Sequence, residues 1–100
     1  MLTITPAEVR QRLAEGEKLD IVDVREDEEV AQGILPGAIH IPLMQLPERL
    51  SEVPQNGETI LVCRSGNRSG RALDYLQSQG LANLKNMTGG MLEWEQLEQA

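Results

Sequence analysis

The sequence predicts an α/β fold in which a mostly parallel sheet of five short strands is covered by helices on both faces. Three observations carry this. Five apolar runs of strand length recur along the 100 residues, and segments with helical periodicity separate them. Pro, Gly and capping residues fall between the runs, where turns and helix ends need them. No repeat, linker or low-complexity tract divides the chain, so residues 1–100 read as a single domain. Strands that alternate with helices pair in parallel, and such a sheet needs cover on both sides.

Leu2–Ile4 is the first strand. Thr5 follows as N-cap, Pro6 as the first helical residue, and Glu8 completes a capping box. Val9 and Leu13 give this helix its apolar side, and Gly16 its stop. Leu19–Val24 is the second strand, and the charged run Arg25–Glu29 opens a short solvated helix ending near Gly33. Pro36-Gly37 makes a turn, then Ala38–Ile41 forms the third strand, closed by Pro42. Pro47 starts another short helix through Ser51, and Pro54–Gly57 is a loop. Thr59–Val62 is the fourth strand. Ser69 reads as the N-cap of a helix to about Gln79, with Ala72, Leu73 and Leu76 on one face and Gly80 as its stop. Leu84–Met87 is the fifth strand, and Gly89-Gly90 precedes a last helix through about Leu97.

Composition removes several function classes. A net charge of −7 disfavours nucleic acid or an anionic membrane as the main partner. No apolar stretch approaches a membrane span, and the N-terminal residues lack the pattern of a secretory signal. A single cysteine excludes an internal disulfide, a CxxC redox pair and a thiolate-rich zinc site. These features point to a soluble protein of a reducing compartment, most simply the cytoplasm. There is no Phe, and Trp94 and Tyr75 are the only aromatics, so the core must be aliphatic.

That one cysteine, Cys63, stands where the fourth strand stops and the polar segment Arg64-Ser65-Gly66-Asn67-Arg68-Ser69-Gly70 begins. In open α/β sheets, reactive sites lie just beyond the carboxyl ends of the strands. Gly66 and Gly70 allow a tight loop whose backbone N–H groups turn inward, and the helix start adds unpaired N–H groups and a positive dipole end. The thiolate is the nucleophile, yet a free thiol near pKa 8.5 is mostly protonated at neutral pH. A favourable helix end is worth up to ~2 kcal/mol and one pKa unit about 1.4 kcal/mol, so the dipole lowers the thiol by about one unit. Loop amides and nearby arginines must supply any more. Arg64, Arg68 and Arg71 crowd this helix start against the dipole, which makes sense if an anion visits; the alternative is that they point into water and pair with surface carboxylates. A thiol in this role must ionise more readily than free cysteine and be reachable from solvent.

Cys63–Ser69 resembles the active loop of the rhodanese family of sulfurtransferases. Three further stretches agree, in family order: Ile21–Glu26 with its "DVR", Gly33–Pro42 with "PGA" and "IP", and Thr88–Trp94 with "GG" and Trp. Ile34 stands where the family usually has His, a position that is mainly structural there. The resemblance implies a three-layer α/β/α fold around a five-stranded parallel sheet of order 3-2-4-5-1. Arg25, and Asp23 before it, would then lie near the Cys63 loop as supporting residues. It also implies that Cys63 takes sulfane sulfur from thiosulfate, or from another persulfide donor, as a persulfide. Arg64, Ser65, Gly66, Asn67, Arg68 and Ser69 would bind the substrate and the persulfide. The acceptor would be cyanide or a thiol, such as a thioredoxin-like protein or a small thiol, with no metal or organic cofactor.

Two rivals share these residues. Cdc25-type phosphatases of the same fold use a C-x5-R loop, but here Ser69 occupies the sixth place and Arg68 comes one residue early. A sulfur carrier or partner-binding module would accept persulfide from a protein donor and ignore thiosulfate. His40, the sole histidine, reads as a strand residue rather than a base for Cys63. Asp23 reads as a hydrogen-bonding residue at a strand end.

Overall fold

A computed structural model describes residues 2–99. The strands are β1 (Thr3–Ile4), β2 (Asp20–Asp23), β3 (Ile39–His40), β4 (Thr59–Val62) and β5 (Leu84–Met87). The helices are α1 (Pro6–Ala14), α2 (Asp27–Val30), α3 (Asn67–Ser78) and α4 (Gly90–Gln99). All pairings are parallel and the sheet order is β1-β5-β4-β2-β3, the expected order read from the other edge.

β4 lies at the centre, and all four of its residues are buried. Its alternation divides the core. Ile60 and Val62 pack with Ile4, Val9, Ile21, Met87, Met91 and Trp94, under α1 and α4. Leu61 and Cys63 pack with Val22, Val24, Leu73, Leu76 and Leu84, under α3. The core is aliphatic, as the composition requires, apart from Trp94 at its rim.

The capping box of α1 forms as expected: Glu8 N–H donates to Thr5 Oγ1 at 3.1 Å, and Thr5 N–H to Glu8 Oε1 at 3.0 Å. Two expectations need correction. The segment after Pro42 holds two 3₁₀ turns, Leu43–Gln45 and Leu50–Glu52, rather than a helix opened by Pro47. Leu46 and Val53 anchor it in the core, so burial of single apolar residues sets its path. The second correction concerns α3. It starts at Asn67 with Gly66 as its cap residue, and Ser69 lies inside the first turn, 0 % exposed. Gly66 takes φ 102°, a left-handed conformation that ends the loop three residues earlier than Ser69 would.

Candidate active site

β4 delivers Cys63 to the upper rim of the sheet, and the short turn Arg64–Gly66 folds the chain back into α3 over it. No side chain caps α3. Its start faces the sulfur instead: the Gly66 N–H donates to Sγ at 3.0 Å and the Ser69 hydroxyl oxygen lies 3.3 Å from Sγ. Burial pushes the thiol up, but the Ser69 hydroxyl and the amides of Ser69, Gly66 and Ser65 outweigh it. The net result holds Cys63 below the ordinary thiol value. The expectation of solvent access is not met, because Cys63 is 0 % exposed. The Gly66 N–H and the Ser69 hydroxyl that stabilise the sulfur also pack against it.

The loop is held from behind by α4. Met91 N–H donates to the Cys63 carbonyl at 2.9 Å and Leu92 N–H to the Arg64 carbonyl at 3.0 Å. This approach requires Gly90: at φ 57°, a Cβ there would collide with the Arg64 carbonyl. Gly90 is thus what lets α4 clamp the loop backbone.

The cations expected to gather an anion divide into two groups. Arg68 is held by Glu29 of α2 through Nη1–Oε1 at 2.6 Å and Nη2–Oε2 at 2.7 Å. This bidentate pair holds Glu29 down at about 2, against the opposing effect of its burial. Arg68 is therefore not a free guanidinium turned to the thiol; it joins the loop to α2. Arg64 and Arg71 are exposed and make no ion pair among the described residues. Arg64 lines a cavity of about 370 Å³ beside the loop, with Arg25, Glu29, Gly33, Met91 and Leu92 among its walls. Asn67, also exposed, opens α3.

Arg25 and Asp23 form a buried pair at the end of β2. Nε donates to Oδ1 at 3.0 Å and Nη2 to Oδ2 at 2.9 Å. Nη2 also donates to the Gly33 carbonyl at 2.7 Å. With both carboxylate oxygens engaged, Asp23 orients Arg25, and Arg25 ties β2 to the segment after α2. His40 Nε2 lies 2.7 Å from the Arg25 carbonyl oxygen, so the histidine braces this corner rather than Cys63. Among the described residues no group of three or more His, Cys, Asp or Glu is placed to hold a metal ion. No described helix is long and apolar enough to cross a membrane.

One buried neighbour of the loop is absent from the sequence reading. Asn86 of β5 hydrogen-bonds both the Ser69 hydroxyl and the Gly66 carbonyl. Its only sequence signal is a second polar residue, after Lys85, in a four-residue strand. The sixth place after Cys63, where a C-x5-R loop carries arginine, holds that Ser69 hydroxyl.

A rhodanese-like domain model matches residues 5–97. A putative sulfurtransferase of Bacillus subtilis, YtwF, is 40% identical over 92% of this chain and 88% of its own length. A sulfurtransferase of Allochromatium vinosum is 42% identical over 84% of this chain and 78% of its own. The crystal structure of a rhodanese-like domain protein from Staphylococcus aureus superposes with a TM-score of 0.87 at 38% identity, covering 94% of this chain and 91% of that one. A sheet in the order expected, a lone cysteine on the strand-4 loop and these matches lead to one conclusion: the chain belongs to the rhodanese-like family.

Proposed function

We propose that this chain, a sulfurtransferase by its family, carries sulfane sulfur as a persulfide on Cys63. The observation that supports this most is the donor set on Sγ, the Gly66 N–H at 3.0 Å and the Ser69 hydroxyl at 3.3 Å, at a helix start with no side-chain cap. The Cys63 thiolate attacks the outer sulfur of thiosulfate. The S–S bond of thiosulfate breaks, its electron pair leaves with sulfite, and the negative charge passes to the terminal sulfur of the persulfide. Inward-facing donors suit that charge at little reorganisation cost. An acceptor thiol then attacks the terminal sulfur and passes its proton there. The electron pair of the broken bond returns to Sγ as thiolate. Cyanide in place of the thiol leaves as thiocyanate. These steps need no metal or organic cofactor. Arg64, a cation at the cavity with no ion pair among the described residues, draws the dianion, while Arg68 holds the loop against α2. A thioredoxin-like protein or a small thiol suits the acceptor role, and the cytoplasm supplies both.

Intact mass after thiosulfate exposure tests this. Wild type gains one sulfur that a reductant removes and forms thiocyanate with cyanide. Cys63→Ser folds but does neither. Thiocyanate from Cys63→Ser would remove Cys63 as nucleophile. Sulfur gained only from a protein persulfide would favour the carrier reading over the thiosulfate one.

A further inference from the structure

Asn86 sits on β5 beside the first turn of α3, 6 % exposed. Its amide touches both residues that donate to the sulfur. Nδ2 donates to the carbonyl of Gly66 at 3.1 Å, and Oδ1 accepts a hydrogen bond from the Ser69 hydroxyl. The first contact fixes the second, because turning the amide over would set Oδ1 against the Gly66 carbonyl oxygen. Ser69 is 0 % exposed and has one hydroxyl proton with two acceptors in reach, Asn86 Oδ1 and, at 3.3 Å, Cys63 Sγ. That proton makes one strong bond at a time.

We infer that Asn86 is a positioning residue that tunes the charge on Cys63 by competing with it for the Ser69 proton. The inference rests on Cys63 being the reacting atom. While Cys63 is a thiol, the hydroxyl proton lies on the Asn86 side. When Cys63 ionises, the sulfur anion becomes the stronger acceptor and the proton swings to it. Ionisation therefore costs the Ser69–Asn86 bond. The swing recurs during sulfur transfer. In the persulfide, Sγ is an uncharged divalent sulfur and a weak acceptor, so the proton returns to Asn86. As the Sγ–S bond breaks, its electron pair collects on Sγ and the proton follows. The proton stays bonded to the Ser69 oxygen throughout; only its hydrogen-bond acceptor changes. Asn86 thus restrains the resting thiolate and leaves the Ser69 donor available when Sγ is the leaving group.

Thiolate absorbance against pH tests this in wild type, Ser69→Ala, Asn86→Val and the double variant. Val suits a strand position, and Asn86→Ala replaces it if circular dichroism shows misfolding. Ser69→Ala raises the thiol pKa. Asn86→Val lowers it by roughly half to one pH unit, the scale of one hydrogen bond. In the Ser69→Ala background, Asn86→Val changes nothing. An upward shift from Asn86→Val, or an equal shift in both backgrounds, would show that Asn86 only props the Gly66 carbonyl and would overturn the inference. The charged groups around the loop are unchanged in every variant: Arg64, Arg68 with Glu29 of α2, and Asp23 with Arg25 at the end of β2. The readout is ionisation alone, so a wild type that forms no persulfide sinks the proposed reaction and leaves this test standing.

Discussion

α1 and α3 both begin with amides that have no partner inside the helix, and the chain uses those amides in opposite ways. At α1, Thr5 and Glu8 exchange hydrogen bonds of 3.1 and 3.0 Å and close the end on itself. At α3, Gly66 supplies no side chain, and its own N–H goes to Cys63 Sγ at 3.0 Å. A helix start closed by its own side chains is stabilised and chemically inert. One left open can stabilise a negative charge brought from elsewhere in the fold. The two starts lie in one small protein, so they can be perturbed separately.

The largest effect is expected at the open start. Gly66→Ala places a Cβ at φ 102° and 3.4 Å from the Gly89 nitrogen. The left-handed conformation alone costs a residue with a Cβ roughly 1–2 kcal/mol. The same change tilts the amide that bonds Sγ, so the thiol pKa rises along with the loss of stability. A urea midpoint and a pH titration of alkylation rate check both. A loss of stability with an unmoved thiol would break the link between this glycine and the sulfur.

Thr5→Ala is the matched perturbation at the closed start. Loss of an N-cap costs about 1 kcal/mol. The thiol titration stays where it was, because α1 packs under the sheet face opposite to α3. A shifted thiol pKa in this variant would mean that the two helix starts are coupled through the sheet.

The smallest effect comes from Arg68, which the sequence places at the open start and the structure engages elsewhere. Its hydrogen bonds hold the folded-state Glu29 at about 2, below the ordinary carboxylate value. A depressed carboxylate adds stability above the unfolded pKa of about 4.3, and loses it as pH falls toward the folded value. Arg68→Ala returns Glu29 toward the ordinary range and removes that acid-side dependence. Both side chains are partly exposed, 30% and 27%, so the loss near neutral pH stays below about 1 kcal/mol. A carboxylate titration by NMR and urea midpoints on either side of the ordinary carboxylate range check this. An unshifted Glu29 would return Arg68 to the role of a free, anion-gathering cation.

Local patterns were enough for most of the frame. The capping box at Thr5 and Glu8, the central apolar run before Cys63 and the glycine pair before α4 each depend on residues within a few positions. Five apolar runs joined by long crossovers, most of them helical, favour parallel pairing, because each crossover carries the chain back to the end where the preceding strand began. The placement of Cys63 at a strand end follows from the same periodicity.

What the sequence determined by itself was therefore the layered fold and the address of Cys63 at the rim of β4. Only the tertiary structure decided what surrounds the sulfur. The left-handed turn at Gly66 moved the helix start and turned Ser69 from a cap into a sulfur ligand. Glu29 took Arg68 across 39 residues of sequence and Asn86 took Ser69 across 17. Hydrogen bonds between layers depend on side-chain direction and strand register. Neither leaves a periodic trace in the chain, because a partner that arrives through space has no fixed spacing along the sequence.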